Sequence, residues 1–287
     1  MTKLLGGIEA GGTKFVCAVG DEQGKIKDQV RFPTTTPKET LAQVFAFFDQ
    51  FELDGIGIGS FGPIDINPES PTYGYVKDTP KLAWRQADFL GAIRERYQIP
   101  FVWTTDVNVA AYGEYRHGAG RGKQNVLYIT VGTGVGVGYI AHGQLYHGHS
   151  HPEGGHILLH KAPGDSFAGV CPSHGDCLEG LTAGPAIAKR TGKKGTELAA
   201  DDPAWQTEAY YLAQACMTYT LTFSPDVIIF GGGVMKQQQL FPLIREKFTQ
   251  LLNHYVPIDD VDHYIVPVQL GDNAGITGCL LAAADQI

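Results

Sequence analysis

The sequence has no run of about 20 apolar residues, so no segment reads as a membrane-spanning helix. The opening stretch, MTKLLGGIEAGG, lacks the long apolar core of a secretory leader. No stretch is rich in Lys and Arg, and the formal net charge is −8, which leaves no basic patch for nucleic acid. Cysteine is scarce: Cys17, Cys171, Cys177, Cys216 and Cys279 make five, an odd number that argues against a disulfide framework in a chain without an export signal. These absences predict a cytoplasmic protein with neither a membrane nor a nucleic-acid partner. Cys17, Cys216 and Cys279 lie in apolar segments and read as small core residues, whereas Cys171 and Cys177 lie in a polar, Gly/Pro-rich segment.

Glycine, by contrast, is abundant, with 37 residues against a usual share of roughly 7%. The stretch ITVGTGVGVGYI, residues 129–140, puts four glycines into seven positions of an otherwise good apolar strand. Glycine weakens a strand, so such spacing points to a tight turn or a close backbone approach. Apolar runs such as TKFVCAVG, GIGIGSF, PFVWTTDV, NVLYITVG and DVIIFGG have strand character. ETLAQVFAFFDQF, AWQTEAYYLAQACMTYTLTF and QLFPLIREKFTQLLNHY have helical spacing, and the alternation predicts an α/β architecture.

Ile8-Glu9-Ala10-Gly11-Gly12-Thr13 aligns with Ile129-Thr130-Val131-Gly132-Thr133-Gly134, each a strand, a glycine turn and a returning strand. Two related hairpins half a chain apart suggest a duplicated α/β lobe with a cleft between the copies, although short Gly-rich hairpins also match by chance. The boundary is expected near the glycine-rich HGAGRGK, with the last apolar helix returning to the first lobe. This predicts an N-terminal lobe of 1–118 plus 272–287 and a C-terminal lobe of 119–271.

A hairpin tip of Gly and Thr presents bare N–H groups and a hydroxyl, which suits a polyphosphate. The cluster at Gly231, Gly232 and Gly233 follows an apolar strand and suits a base and ribose lying on backbone. None of the three clusters has the Walker A spacing, and GTGVGVG continues into a strand where a dinucleotide fold needs a helix. Asp106 ends an apolar strand just before a helix, where clefts form in α/β proteins. It either caps that helix or, if Asn108 is the cap, is released to take a proton from a hydroxyl that attacks a γ-phosphate.

HGHSHPEGGHILLH holds five histidines, and CPSHGDCLEG gives Cys171-x2-His174-x2-Cys177. Thiolates and imidazole at this spacing in a turn-rich segment are what tetrahedral zinc requires, with His156 the fourth ligand because a strand-like ILL follows it. Residues 147–180 hold few apolar side chains, so zinc would supply the folding free energy that burial cannot.

EAGGTK, TTDVN, GTGVGVG, HPEGGH, CPSHGDCLEG and FGGGV, in that order over nearly the whole chain, resemble the ROK family of sugar kinases and related repressors. Within it, GIGSFGPID, SHPEGGH and the Cys-x2-His-x2-Cys form resemble the bacterial zinc-containing fructokinases. The resemblance implies the actin-like/hexokinase (ribonuclease H-like) superfold, two duplicated α/β lobes around a cleft, usually a homodimer. It implies phosphorylation of D-fructose at the 6-hydroxyl from ATP, with catalytic Mg²⁺ and structural Zn²⁺. Asp106 matches the catalytic base. Gly11, Gly12, Thr13 and Lys14 match the first phosphate motif, Gly132, Thr133 and Gly134 the second, and Gly231, Gly232 and Gly233 the adenosine motif. Thr105, Glu153, His156 and Glu179 match sugar-binding positions, with His156 also on the metal.

Three positions depart from the family pattern. Glu9 stands where Asp is usual, Thr105 where Asn is common, and His174 where many members have Cys. The first changes the relation to Mg²⁺ and its waters, the second the sugar hydroxyls read, and the third the thiolate count. A glucose, mannose or N-acetylhexosamine kinase would use the same machinery. Repressors of the family carry a helix-turn-helix before the first phosphate strand; here that strand begins close to Met1, so a kinase is expected. Tyr73, Tyr75 and Trp84 could line a sugar pocket or a subunit interface, or simply pack; Asp78 and Lys81 suggest no role.

Overall fold

In the computed structural model, which describes residues 3–287, the two glycine hairpins share one frame. Met1 and Thr2, at the start of the expected N-terminal lobe, lie outside the described residues. Leu5–Ala10 pairs antiparallel with Lys14–Gly20, and Val126–Val131 pairs antiparallel with Val135–Ala141. Each end of the second pair is the matching end of the first plus 121 (5 to 126, 10 to 131, 14 to 135, 20 to 141). The neighbouring strands repeat too. Gly55–Ser60 and then Phe101–Thr105 add in parallel beside Leu5–Ala10. Val227–Gly231 and then Ile265–Pro267 add in parallel beside Val126–Val131. The predicted α/β fold with two duplicated lobes is the observed one.

The chain divides into two compact units: Met1–Gly122, Gln144–Pro152 and Leu270–Ile287 form the first, Lys123–Gly143 and Glu153–Gln269 the second. In the first, one face of the sheet packs Ile8, Phe15, Ile56 and Ile58 against Val44 and Phe48 of the Pro37–Phe48 helix and against Phe89. Trp84 belongs to this core, 1% exposed, with its ring against Phe15, Phe61 and Phe89 and its indole N–H on the Thr35 carbonyl. Ordinary packing is therefore its role, not a sugar or subunit surface.

The other face shows why GIGIGS alternates as it does. Ile56 and Ile58 point into the core, and the glycines point to a layer of two helices, Asp106–His117 and Ala274–Ala284. A Cβ on Gly57 would overlap the Cys279 carbonyl, and one on Gly59 the Val109 side chain. The helices meet backbone to backbone as well: a Cβ on Gly278 would overlap the Val109 carbonyl, and one on Gly113 the Ala274 carbonyl. Close packing of this kind tolerates no added methyl without a shift costing about 1–3 kcal/mol.

The second unit buries Leu127, Ile129, Ile228 and Phe230 of its sheet against Leu212, Cys216 and Tyr219 of Ala204–Phe223 and Ile244 and Phe248 of Leu240–Leu252. Cys17, Cys216 and Cys279 are fully buried, as their apolar surroundings predict. Among the described residues no helix is long and apolar enough to cross a membrane.

Candidate active site

In the first unit, the Phe101–Thr105 strand passes directly into the Asp106–His117 helix. Thr105 is the N-cap: its backbone is extended, and its hydroxyl oxygen accepts the Asn108 N–H at 3.2 Å. The sequence offered Asp106 or Asn108 for this position. Asn108 cannot serve, because it already lies inside the first turn, where its side-chain N–H donates to Thr104 Oγ1 at 2.9 Å. Asp106 is thereby the first helical residue, and its carboxylate accepts the adjacent Val107 N–H, 2.8 Å away. Burial pushes the Asp106 carboxyl up to about 6, against the opposing pull of the Val107 and Asp106 backbone N–H groups. Thr105 itself is 4% exposed, and its hydroxyl is committed to the cap.

Glu9, at the end of the first hairpin strand, is pushed up to about 7, first by burial and then by the charge of Asp106. Lys14, Arg31 and the Ile276 amide pull the other way. Gly275 opens the space for the carboxyl group, since a Cβ there would stand 2.6 Å from Glu9 Cδ. Glu9 Oε2 is buried without a hydrogen-bond partner. The hairpin tip is closed by the Gly11 N–H on the Lys14 carbonyl at 3.0 Å, and Thr34 holds it from the side, its N–H on the Thr13 carbonyl and its hydroxyl on the Gly11 carbonyl. Lys81, to which the sequence assigned no role, places its Cε 3.7 Å from where a Cβ on Gly12 would stand. No sequence signal marks it, because the loop that carries it has no periodicity.

In the second unit the two remaining glycine clusters come together. The nearest atom to a Cβ built on Gly132 is the Gly233 amide nitrogen, 3.8 Å away. Gly232 has φ +91°, and a Cβ there would overlap the Val131 carbonyl, so only glycine fits. The Gly184 N–H reaches the Gly132 carbonyl at 2.7 Å and ties the tip to the Gly184–Thr191 helix. Glu179, expected at the sugar, also buttresses this tip: its Oε2 accepts the Val135 N–H at 3.0 Å.

His156, Cys171, His174 and Cys177 converge, with their ligand atoms all within 4.8 Å of one another. His156 Nδ1 lies 3.7 Å from Cys171 Sγ and 3.5 Å from Cys177 Sγ, and His174 Nδ1 lies 3.7 Å from Cys171 Sγ. A tetrahedron with zinc–sulfur and zinc–nitrogen bonds of ordinary length has sulfur–nitrogen edges of about 3.6 Å. The donor set fits such an ion. The loop is shaped by mutual hydrogen bonds between Cys171 and Gly175 and by the Leu178 N–H on the Ile157 carbonyl. The two glycines of HPEGGH have a packing reason. Gly154 and Gly155 lie flat on the Val135–Ala141 strand, where a Cβ on Gly155 would overlap the Val135 carbonyl, and Tyr219 donates its hydroxyl to the Gly154 carbonyl at 2.7 Å. Glu153 precedes this turn and is exposed.

Each unit thus gathers its own share of the expected residues: Gly11–Lys14, Thr105 and Asp106 in the first; both other glycine clusters, Glu153, Glu179 and the Cys/His group in the second. The ROK family model matches residues 5–286. The chain is 53% identical over 280 residues to a fructokinase of Pediococcus pentosaceus, covering 98% of this chain and 97% of that one. It is 49% identical over 292 residues to a fructokinase of Streptococcus mutans, covering 100% and 99%. Among solved structures, a ROK family glucokinase from Streptomyces griseus in complex with glucose and AMPPNP aligns with a TM-score of 0.78 at 27% identity, covering 99% of this chain and all of that one. A match that runs through both units and all six motifs leaves one assignment: this chain belongs to the ROK family.

Proposed function

We propose that this protein is a fructokinase, transferring the γ-phosphoryl group of ATP to the 6-hydroxyl of D-fructose. The observation that carries this reading is the match to fructokinases at about half identity across the whole length, by a chain that retains Asp106 at the head of its helix.

Asp106 is the general base. With its carboxyl near 6 it is ionised at neutral pH, yet a stronger proton acceptor than an exposed aspartate, close to the match between pKa and working pH that favours proton transfer. It takes the proton of the 6-hydroxyl as that oxygen bonds to the γ-phosphorus and the bond to the bridging β–γ oxygen breaks, releasing ADP. Thr105 keeps the carboxylate in place by capping the helix. The tips at Gly11–Thr13 and Gly132–Gly134, closed by the Gly11 and Gly132 N–H groups, hold the phosphates through the N–H groups of Gly12, Thr13, Thr133 and Gly134, with the Lys14 and Lys81 ammonium groups adding charge at the first tip, and Gly231–Gly233 receives the adenosine. Magnesium, when bound, spreads the negative charge of the phosphoryl group in flight. Glu9, with its unpartnered buried oxygen, is the carboxylate that fits it or its waters.

Glu153, Glu179 and His156 bind sugar hydroxyls, His156 through the ring nitrogen turned away from the metal. Zinc on His156, Cys171, His174 and Cys177 is structural, since all four positions are filled by protein and none is open for substrate. A cytoplasmic homodimer completes the reading.

A coupled ADP-release assay over a panel of hexoses tests the proposal. Fructose is expected to give the highest kcat/KM, and a preference for glucose, mannose or an N-acetylhexosamine would reassign the substrate within the family.

A further inference from the structure

Glu114 stands eight residues after Asp106 on the same helix (114 − 106) and is 0% exposed. A buried carboxylate is costly unless its oxygens are satisfied, and both of these are. Oε2 accepts the Ala119 N–H at 2.8 Å, and Oε1 accepts the Leu270 N–H at 2.6 Å. The Glu114 carbonyl takes the Gly118 and Gly120 N–H groups at 2.9 and 3.0 Å. Gly118 is required for this geometry, because a Cβ there would overlap Glu114 Oε2.

The two amides gripped by the carboxylate belong to segments far apart in sequence. The chain first leaves the first unit after Gly122, returns for Gln144–Pro152, and makes its last re-entry at Leu270. Ala119 lies just before the first exit, and Leu270 is the residue of final return. One side chain therefore holds the first and last of the four crossings to the helix that begins with Asp106, and that helix is itself locked to Ala274–Ala284 through Gly113 and Gly278. Past the clamp only a short stretch is loosely held: Gly122 has φ +80° with no atom within 4 Å of a Cβ position, and Arg121 and Lys123 are exposed, before Asp226 Oδ2 accepts the Gln124 and Asn125 N–H groups at 2.9 and 2.8 Å.

We propose that Glu114 is a positioning residue: its carboxylate clamps the first and last chain crossings to the base-bearing helix, so that flexing of these two connections stops short of Asp106. Ionic N–H···O⁻ bonds to backbone are strong enough for this, and each resists opening more than a neutral pair would. The clamp stands on the hydrogen bonds alone, whereas its consequence for catalysis rests on the kinase reading.

Hydrogen exchange on the full-length protein, with Glu114→Gln against wild type, reads the clamp directly. Gln keeps the shape but removes the charge that strengthens both bonds and turns a donor toward one of the two amide N–H groups, so the Ala119 and Leu270 segments are both expected to exchange faster, by about tenfold or more where the charge-assisted bond is lost outright. The Leu5–Gly20 hairpin should keep its wild-type rates, and kcat should fall while KM for ATP holds. Gly118→Ala, which drives a methyl group against the same oxygen, is a second route to the result should Glu114→Gln fail to fold; it should loosen the Ala119 segment first. Wild-type exchange at both segments, or loosening at only one in Glu114→Gln, would overturn the clamp. Loosening at both with unchanged kcat would overturn the positioning role. A wild-type protein that phosphorylates no sugar would instead sink the kinase reading and leave the exchange result standing.

Discussion

The two hairpins have strands of equal length in the same pairing, yet the residues that work around them are held by different means. In the first unit, Asp106 sits where a strand hands over to a helix, and Glu9 ends a strand under the start of another helix. Regular elements with apolar packing on both faces aim those side chains. In the second unit, Glu153, His156 and Glu179 flank a stretch with few regular elements, where single-turn helices and isolated bridges alternate with loop. There the positioning comes from the Cys/His group and from glycines pressed onto the neighbouring strand. Duplication thus supplied a backbone frame twice, and the means of holding side chains diverged on it. Where secondary structure suffices, the cost is a buried charge; where it does not, a Cys/His group fit to hold a metal takes its place.

The largest effect expected from breaking this contrast is chemical. Asp106→Asn should lower kcat by about 10²–10⁴, the usual worth of a general base, while the melting temperature at neutral pH does not fall, since it removes a buried charge. In the wild type, kcat/KM should climb as pH rises through about 6, where Asp106 loses its proton, and level off above. A flat profile across that range would remove Asp106 from proton transfer.

Next comes the metal. Zinc stripped by a strong chelator should cost the second unit several kcal/mol, because ligation there stands in for burial. Hydrogen exchange should then rise across 153–180 and stay unchanged across the Leu5–Gly20 hairpin. Equal loosening in both would mean that the units do not differ as described.

Glu9→Gln sharpens the comparison from the other side. The folded protein holds this carboxyl at about 7, against 4.5 for an unperturbed one, so the native state binds the proton more tightly than the unfolded chain. Ionising Glu9 therefore lowers stability progressively as pH rises from 4.5 toward 7, and the penalty is absent below that window and complete above it. Gln should raise stability by up to a few kcal/mol at about pH 8 and leave it unaltered at about pH 4, as urea unfolding would show. The smallest effect belongs to Thr105→Val, which removes the cap hydroxyl and should cost about 1 kcal/mol in urea unfolding, with a drop in kcat as Asp106 loses its support.

Much of this architecture was legible in the sequence, for reasons that differ by residue. The repeat showed because strand, glycine tip and strand recur at one offset, and a Gly/Thr tip tolerates little variation. The ligand spacing of Cys171, His174 and Cys177 showed because soft donors two residues apart are rare in loops. His156 was reachable because the apolar ILL follows it, although the structure forms no strand there: His156 closes a single 3-10 turn and Leu158 makes one isolated bridge to Cys177. The N-cap was misread: Thr, Asp and Asn all cap helices, and four such residues in TTDVN leave the start ambiguous until backbone angles decide. Trp84 looked like a surface aromatic because its neighbours are polar, yet its partners Phe15, Phe61 and Phe89 come from other segments. Lys81 near Gly12, Glu179 on Val135 and Glu114 on Leu270 are long-range meetings that no local pattern announces.

One of those meetings reaches further. Cys177 and Glu179 share a single turn, and Glu179 grips the amide that follows Gly134. A thiolate that lets go of its ion would slacken the carboxylate two residues later, and with it the loop that cradles a phosphate chain. On the kinase reading, metal starvation would be felt as a weaker hold on nucleotide as well as on sugar, before the fold comes apart, making zinc supply a throttle on ATP use rather than a simple brace.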